Sequence, residues 1–239
     1  MPFYDYYDDL AATGLGRAWA LGQARLALRY IRAAHPHGRS LLEIGPGHGN
    51  FASVCAKAGY TYAALDINLH LLHALQARSH SGVRALAPLL PVASGSYDIV
   101  FASHVIEHSP TYRDASAFLS ELARTLATGG VVVLVAPDYL ALREDFWNCD
   151  YSHGFVTTRR RLRQIMRDCG LELDGDHYTW GPLEGLAGQI AGQTIGSRLA
   201  GQIARALPGQ LGERLYKARL TFGRSVLIIG RVGGRGENA

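Results

Sequence analysis

The sequence predicts an α/β protein in which a mainly parallel sheet carries helices on both faces. Between residues 39 and 178, short apolar runs typical of buried strands alternate with segments whose apolar residues recur at helical spacing. One of these runs, 41–44, leads into a turn with a glycine at every second position, which is typical of a ligand-binding junction between a strand and a helix. At 239 residues, the chain is long enough for one such domain with additional segments.

Each predicted element has its own signal. Residues 1–38 are expected to be mainly helical until Pro36 interrupts the pattern. A later helix is predicted to begin near Asn50. Two more are predicted to begin directly after Asn68 and Asp114, whose side chains would serve as N-caps. A further helix is predicted from apolar residues at positions i, i+3, i+4 and i+7, namely Leu162, Ile165, Met166 and Cys169. Strands are predicted at 41–44, 62–67, 83–86, within 96–108, within 129–137, at 171–178 and at 225–232.

The glycine turn after the first strand is the most informative feature. Its alternating glycines would let backbone N–H groups and the N-terminus of a helix lie against a ligand, and Glu43 would add a hydrogen-bond acceptor. A dinucleotide fingerprint has its third glycine three residues after the second, but Asn50 occupies that position here. The turn therefore favours another cofactor, one with a charged amino acid tail and a ribose.

Four motifs in this order resemble those of the class I S-adenosylmethionine-dependent methyltransferases, in particular the small-molecule branch similar to methyltransferase type 11. They are the acid-x-Gly-x-Gly-x-Gly turn at 43–49, the acidic strand end at 62–67, the segment 96–108 and the strand after Gly129-Gly130. The resemblance covers roughly residues 39–178. It implies a Rossmann-like sheet of seven strands, with an antiparallel last strand between the fifth and sixth, and S-adenosyl-L-methionine as the cofactor.

The resemblance also implies a set of cofactor-binding residues. Asp66 would accept hydrogen bonds from the ribose hydroxyls, and Ser103 would lie near the methionine end of the cofactor. Family members often carry an acid before the fourth strand that reads the adenine amino group, but residues 86–91 contain none. Adenine contacts are therefore expected from backbone groups near Ala87, or from apolar packing against Leu86 and Ile67. The complete predicted set is Glu43, Gly45, Gly47, Gly49, Asp66, Ile67, Ala87 and Ser103.

Residues after the fourth and fifth strands are candidates for proton chemistry. His153 lies in a loop that resembles one in many small-molecule methyltransferases, and a histidine can take a proton from an attacking hydroxyl at cytosolic pH. We predict His153 as the general base and His104 as the second candidate. The alternative for His153 is a structural role in holding the loop, and His108 is expected to support the strand–helix junction with Glu107.

No metal site is predicted. His104 and His108 are four residues apart and could share a helical face, but a metal centre would need a third ligand, such as Asp150 or His153. The 3 cysteines are odd in number and lack paired spacing. Neither a zinc cluster nor a disulfide framework is therefore expected.

Composition restricts the partners and the compartment. The net charge of +4 is mild and comes without a dense Lys/Arg stripe, so no nucleic-acid partner is expected. The Asp/Asn-Pro-Pro-Tyr/Phe motif that stacks a flipped base is also missing from residues 102–105. The N-terminus lacks the basic and apolar regions of a secretory signal, and no stretch reaches the ~18 apolar residues of a transmembrane helix. A cytoplasmic location is therefore expected.

The chain divides into five predicted segments. They are a helical cap or lid (1–38), the methyltransferase core (39–181), an amphipathic helical insertion between strands six and seven (182–222), the last strand (223–233) and a flexible tail (234–239). The N-terminal aromatic residues could cover the crevice or pack on the core. The stretch Pro182–Arg224 carries six basic and two acidic residues, so the insertion could cover the substrate, contact an anionic membrane surface or form a dimer.

The leading functional prediction is an S-adenosyl-L-methionine-dependent O-methyltransferase acting on a small-molecule or a lipid- or sugar-linked hydroxyl acceptor. Methyl transfer from a sulfonium is an in-line displacement, so the protein mainly has to align the acceptor and exclude water. The alternative is a catalytically inactive methyltransferase-like binding module or partner subunit. A nicotinamide-dependent oxidoreductase is disfavoured by Asn50 and by the absence of a Tyr-x-x-x-Lys pair.

Overall fold

The computed structural model describes residues 14–233 and places seven strands in one mixed sheet with helices on both faces. The strands are β1 (Ser40–Ile44), β2 (Thr61–Asp66), β3 (Ser81–Arg84), β4 (Tyr97–Ser103), β5 (Leu126–Pro137), β6 (Leu171–Thr179) and β7 (Ser225–Val232). Their order is β3-β2-β1-β4-β5-β7-β6. Strands β1 to β5 pair in parallel, whereas β7 is antiparallel to both β5 and β6. The predicted fold class is confirmed, including the antiparallel last strand.

Helices alternate with the strands and then fill the segment between β6 and β7. They are α1 (Gly14–Ala34), α2 (Asn50–Lys57), α3 (Leu69–Gln76), α4 (Tyr112–Thr125), α5 (Tyr139–Leu142), α6 (Asp145–Asn148), α7 (Arg159–Asp168), α8 (Gly185–Thr194), α9 (Arg198–Ala206) and α10 (Gly209–Thr221), with a 3₁₀ turn at Ile106–His108. Within residues 14–233, no helix is long and apolar enough to cross a membrane.

Local capping rules account for most helix starts. The helix predicted at Asn50 begins there, and the Asn68 side chain caps α3 by accepting from two backbone amides. The predicted cap of α4 was wrong, because Thr111 is the N-cap and Asp114 occupies the third helical position. Their side chains each accept from the backbone amide of the other residue, which is a capping box.

The predicted third strand was two residues too late. Strand β3 pairs with β2 only as far as the carboxyl end of β2, where Asp66 stands opposite Arg84. The Ala85 amide makes the last bond to β2, to the Asp66 carbonyl at 2.9 Å, and Leu86 forms an isolated bridge with Leu89. The end of β3 is therefore set by the length of its neighbour, which the residues of β3 do not encode.

Two apolar cores lie on opposite faces of the sheet because successive strand residues point in opposite directions. Val131 and Val133 of β5 belong to the core that includes residues of α1 and α2, whereas Val132 and Leu134 belong to the core that includes residues of α4 and α7. Helix α1 contributes buried side chains to the first core, namely Ala24, Ala27, Leu28 and Ile31. The described part of the predicted cap is thus packed on the sheet. Residues 1–13, which carry the proposed aromatic lid, and the predicted tail from 234 lie outside the described residues.

A carboxylate connects the starts of β1 and β4. Asp98 accepts hydrogen bonds from the backbone amides of Arg39 and Ser40 at 2.8 and 3.0 Å, and its own amide donates to the Ser40 hydroxyl at 2.9 Å. These bonds give a physical reason for an aspartate as the second residue of β4. They fix the relative position of the two central strands, and so of the turns at their far ends.

A second carboxyl is buried between β1 and β2. The hydroxyl of Tyr62 donates a hydrogen bond to Glu43, and both side chains lie in the core. Burial raises the pKa of Glu43 to about 8, although the hydrogen bond from Tyr62 acts in the opposite direction. The partner follows from the strand register, since Tyr62 stands opposite Leu41 and therefore on the same face as Glu43.

A buried ion pair attaches the helices of the insertion to the loop after β5. Arg219 of α10 and Asp145 of α6 are both buried, with 2.5 Å between Nη1 and Oδ2. The Arg219 Nε also donates to the Ser197 carbonyl at 3.1 Å. Arg205 of α9 approaches the same carboxylate at 3.3 Å. The insertion and this loop therefore share one buried charge centre.

Replacing Arg219 with alanine should lower the free energy of unfolding by about 3 kcal/mol, because Asp145 would keep a buried charge without its closest cation. Urea denaturation followed by circular dichroism measures this loss. The control is Arg214→Ala on the exposed side of α10, with an expected change within about 0.5 kcal/mol. Equal losses in the two variants would contradict the anchoring role of Arg219.

Replacing Glu43 with glutamine should remove a loss of folding stability that grows as the pH rises. A carboxyl whose folded pKa of about 8 exceeds its unfolded value of about 4.3 makes the wild type less stable as the pH rises through that window. Glutamine does not ionise and can still accept from Tyr62. The melting temperature of Glu43→Gln relative to wild type should therefore increase between pH 5 and pH 8.5. A difference that stays constant across these pH values would show that Glu43 does not titrate in this range.

Candidate active site

The candidate site lies at the carboxyl ends of the central strands β1 and β4. From β1 the chain continues to β2 and β3 on one side of the sheet, and from β4 it continues to β5 on the other side. The gap between the ends of β1 and β4 is therefore a topological switch point. The two turns approach closely, since a Cβ atom added to Gly45 would lie 2.8 Å from Val105 Cγ2. The absence of a side chain at Gly45 is therefore needed for the two turns to meet.

The glycine turn is open on its outer side. Gly45, Gly47 and Gly49 have φ values of +71°, +50° and +71°, a region that other residues rarely adopt. A Cβ atom at Gly47 would meet nothing within 4 Å among the described residues, so a ligand could approach the backbone there. Gly49 is the N-cap of α2, so no capping side chain covers the first amides of this helix. The exposed backbone and helix start fit a cofactor with an adenosine and a charged amino acid tail.

The other predicted cofactor residues lie along the same edge of the sheet. Asp66 ends β2 and accepts from the Asn68 amide at 2.8 Å, and partial burial raises the pKa of its carboxyl. Ile67 is exposed, while Ala87, after β3, and Ser103, at the end of β4, are half-buried. Their contacts with a cofactor remain predictions, as does that of Glu43, whose carboxyl is buried and bound by Tyr62.

His104 occupies a strained turn directly after β4. Its φ is +56°, an unusual value for a residue with a side chain, and its backbone amide donates to the Val135 carbonyl at 2.8 Å. The side chain is 48% exposed, and its Nδ1 lies 3.2 Å from Oε1 of Glu107, whose side chain is 0% exposed. The predicted helical face shared by His104 and His108 does not exist. The turn at His104 precedes a short 3₁₀ helix that begins only at Ile106.

The loop after β5 is docked on that 3₁₀ turn through backbone hydrogen bonds. The amides of Gly154 and Phe155 both donate to the Glu107 carbonyl, at 2.9 and 3.0 Å. A Cβ atom at Gly154 would lie 2.6 Å from the Ser109 carbonyl oxygen, so only glycine allows this approach. The loop also places His153, which is 9% exposed, next to His108 with 4.9 Å between the ring centroids.

Both histidine rings are oriented by hydrogen bonds at Nδ1. His153 Nδ1 donates to the Phe146 carbonyl at 2.5 Å. His108 Nδ1 lies 2.8 Å from the Ser152 hydroxyl, whose hydrogen is donated to Asp150 at 2.6 Å. Burial lowers the pKa of His108, although the nearby Glu107 acts in the opposite direction. The sequence analysis missed Ser152 and Asp150 in this role, although the Asp-x-Ser spacing is typical of such local bonds.

Glu107, His108 and His153 come together in one cluster. Each offers one potential ligand atom, and these three atoms lie within 4.8 Å of one another. The sequence analysis considered Asp150 or His153 as a third ligand for a His104–His108 pair. The structure places His153 with His108 and Glu107, and it uses Asp150 to hold Ser152.

Comparison with known proteins supports the same family. Residues 17–174 match a family described as a methyltransferase domain, which is about two thirds of the chain. A curated relative, an uncharacterized methyltransferase of Mycobacterium sp. (strain JLS), is 37% identical over 101 residues. This segment is 41% of the present chain and 39% of the relative. The match therefore spans about two fifths of the relative's length.

Solved structures share the fold across nearly the whole chain. A SAM-dependent methyltransferase from Archaeoglobus fulgidus superposes with a TM-score of 0.66 at 17% identity, covering 96% of this chain and 99% of that one. Phosphoethanolamine N-methyltransferase 2 of Haemonchus contortus gives a TM-score of 0.64 at 18% identity, covering 98% of this chain and 60% of that one.

These findings do not support the alternative of an inactive binding module. The family match, the confirmed sheet order and the glycine turn all agree on a methyltransferase domain with the fold of the S-adenosylmethionine-dependent enzymes. The chain belongs to the class I S-adenosylmethionine-dependent methyltransferases.

Proposed function

We propose that this methyltransferase acts on an oxygen, in a small-molecule or a lipid- or sugar-linked hydroxyl acceptor. The observation that carries the proposal is the pair formed by His104 and Glu107 beside the glycine turn. The imidazole is half-exposed at the carboxyl edge of the sheet, and its inner nitrogen faces a buried carboxylate at 3.2 Å. A base held in this way suits an acceptor that must lose a proton as it attacks.

The bound cofactor would supply a methyl group on a positively charged sulfur. The glycine turn and Asp66 would hold it, and the chain would align the acceptor and exclude water. The acceptor hydroxyl would give its proton to His104 Nε2. Glu107 would keep the Nδ1 hydrogen directed inward and stabilise the imidazolium that forms, as the acid does in a catalytic triad.

His104 is a better candidate for the base than His153, which reverses the order predicted from the sequence. The His153 ring is 9% exposed, and its Nδ1 is engaged by the Phe146 carbonyl. A buried ring with this bond is better placed to orient the loop than to contact a methyl acceptor. His153 remains the second candidate.

An amine acceptor is the rival that needs testing. Phosphoethanolamine N-methyltransferase 2 has the same fold, but at 18% identity this resemblance transfers no acceptor to the present chain. An amine that is already neutral attacks without a protein base. The two acceptor classes therefore differ in how strongly the rate depends on His104.

Two variants should separate cofactor binding from proton transfer. In calorimetric titration with S-adenosylhomocysteine, Asp66→Ala should bind at least about tenfold more weakly than wild type, because it loses a charged acceptor. His104→Ala should bind the ligand normally. Its turnover with a hydroxyl acceptor, found by screening phenols, sugars and lipid-linked alcohols, should fall by about 100-fold or more.

The control is His73→Ala, an exposed residue of α3, which should match wild type in both assays. Methyl transfer only to amines, with His104→Ala fully active, would overturn O-methylation. Undiminished S-adenosylhomocysteine binding by Asp66→Ala would remove that residue from the cofactor site.

We further propose that the insertion contacts a membrane surface, which would suit a lipid-linked acceptor. Helices α8 to α10 expose large apolar side chains, including Leu186 at 73% and Leu199 at 65%. The excess of basic residues is expected to contribute less to attraction toward an anionic membrane than the sequence suggests. Of the six basic residues between Pro182 and Arg224, four pair with carboxylates, namely Arg205, Lys217, Arg219 and Arg224. Apolar contact is therefore expected to dominate over attraction to anionic lipid.

Co-sedimentation with phospholipid vesicles tests this contact. The double variant Leu186→Ser/Leu199→Ser should sediment less than wild type, whereas Val83→Ser, which removes an exposed apolar residue from β3, should not. Binding should also persist at moderate salt, because screening acts mainly on charges. Equal sedimentation of the double variant and wild type would contradict membrane contact through the insertion.

A further inference from the structure

We infer that Glu107, His108 and His153 form a binding site for a divalent transition-metal ion. The three side chains come from two separate segments, the 3₁₀ turn after β4 and the loop after β5. One potential ligand atom of each lies within 4.8 Å of the other two. Donors bound tetrahedrally at about 2.0–2.1 Å from zinc are somewhat closer to one another than that, so modest side-chain rotations would complete the site.

The tautomers of both histidines suit metal binding. A carbonyl oxygen can only accept, so His153 must carry its hydrogen on Nδ1, where it bonds to Phe146. The Ser152 hydroxyl donates to Asp150, so it accepts from His108 Nδ1. In each neutral ring the lone pair is then on Nε2, the nitrogen that a metal would bind.

These same bonds provide the outer support that metal-binding histidines usually have. Metal ligands of this kind commonly donate their second ring nitrogen to a backbone carbonyl or, directly or through another group, to a carboxylate. His153 does so to the Phe146 carbonyl, and His108 does so through Ser152 to Asp150. Both rings are thus held in place through Nδ1.

The carboxylate supplies an independent observation. Glu107 is 0% exposed, and neither of its side-chain oxygens accepts a well-directed hydrogen bond from residues 14–233. Beside the two histidines of the cluster, the His104 ring also approaches it, with Nδ1 at 3.2 Å from Oε1. Buried carboxylates are normally paired or hydrogen-bonded. A cation bound to Glu107 would supply the directed partner that its oxygens lack.

The donor set indicates the class of ion. Two imidazoles and one carboxylate suit Zn²⁺, Co²⁺ or Fe²⁺, whereas Mg²⁺ prefers oxygen ligands and retains its water. Three protein ligands also leave a position for water or for a substrate oxygen. A hydroxyl bound there would lose its proton more easily. This last role rests on the O-methylation proposed above, whereas binding of the ion does not.

Calorimetric titration of the untagged, EDTA-treated full chain with Zn²⁺ and with Co²⁺ tests the site. We expect one ion per chain with a dissociation constant of about 10 μM or lower, visible d–d absorption on addition of Co²⁺, and no binding of Mg²⁺ in this range. A wild-type dissociation constant above about 1 mM for both ions would overturn the inference.

Three variants assign the binding to these residues. His108→Ala and Glu107→Gln should each abolish the Co²⁺ spectrum, and Ser152→Ala should weaken binding by about 10–100-fold. His73→Ala, at an exposed position of α3, should bind as wild type does. Normal S-adenosylhomocysteine binding identifies the variants that remain folded. Unchanged Co²⁺ spectra in folded His108→Ala and Glu107→Gln would place the metal elsewhere and overturn the site.

The same measurements separate this inference from the proposed function. A chain that binds Co²⁺ through Glu107 and His108 but methylates no hydroxyl compound supports the metal site and contradicts O-methylation. Hydroxyl methylation by a wild-type chain that binds neither Zn²⁺ nor Co²⁺ supports the proposed function and overturns the metal site.

Discussion

The geometry of the candidate site depends on the backbone carbonyl of Glu107. It accepts two amide hydrogen bonds from the loop after β5, and the lack of a side chain at Gly154 allows the two segments to come that close. Together with the hydrogen bond between His108 and Ser152, this contact sets the position of His153 relative to His108 and to the Glu107 carboxylate. The close approach of Gly45 and Val105 has the same effect on the other side of the 3₁₀ turn, since it brings the glycine turn against the segment that carries His104. Backbone proximity, set by two glycines, therefore determines which side chains can act together.

Buried charges connect this site to the insertion. Asp145 forms the ion pair with Arg219 of α10, and the next residue, Phe146, accepts the hydrogen bond from His153. Asp138, at the start of the same loop, pairs with Arg224 just before β7. A shift of the insertion would therefore move the loop that orients His153. The buried ion pair between Arg219 and Asp145 leaves α10 and the loop little freedom to move separately. If the insertion contacts a membrane as proposed, a shift of its helices there would therefore change the position of the loop at the site.

The sequence predicted those features that depend on neighbouring residues. The glycine turn between a strand and a helix depends on adjacent residues, and Asn68 caps a helix through bonds that span three residues, so both were correctly expected. The end of β3 was predicted wrongly because it depends on the length of β2. The supposed helical face of His104 and His108 failed because a single residue, His104, takes a positive φ that its type does not indicate. The approach of His153 to Glu107 joins positions 46 residues apart, and no local rule specifies it.

Two buried glutamates show why burial alone does not identify a functional acid. Glu43 and Glu107 both lie in the interior, Glu43 near the carboxyl end of β1 and Glu107 in the 3₁₀ turn after β4. Glu43 has a hydroxyl partner in Tyr62 and is surrounded by core residues, and its raised pKa makes the stability of the fold depend on pH. Glu107 instead faces three imidazoles, of which one is exposed to the crevice and two are held by outer hydrogen bonds. The partners of a buried carboxylate thus distinguish its roles: a single neutral donor satisfies it, whereas a set of oriented imidazoles gives it groups with which to bind a cation or move a proton.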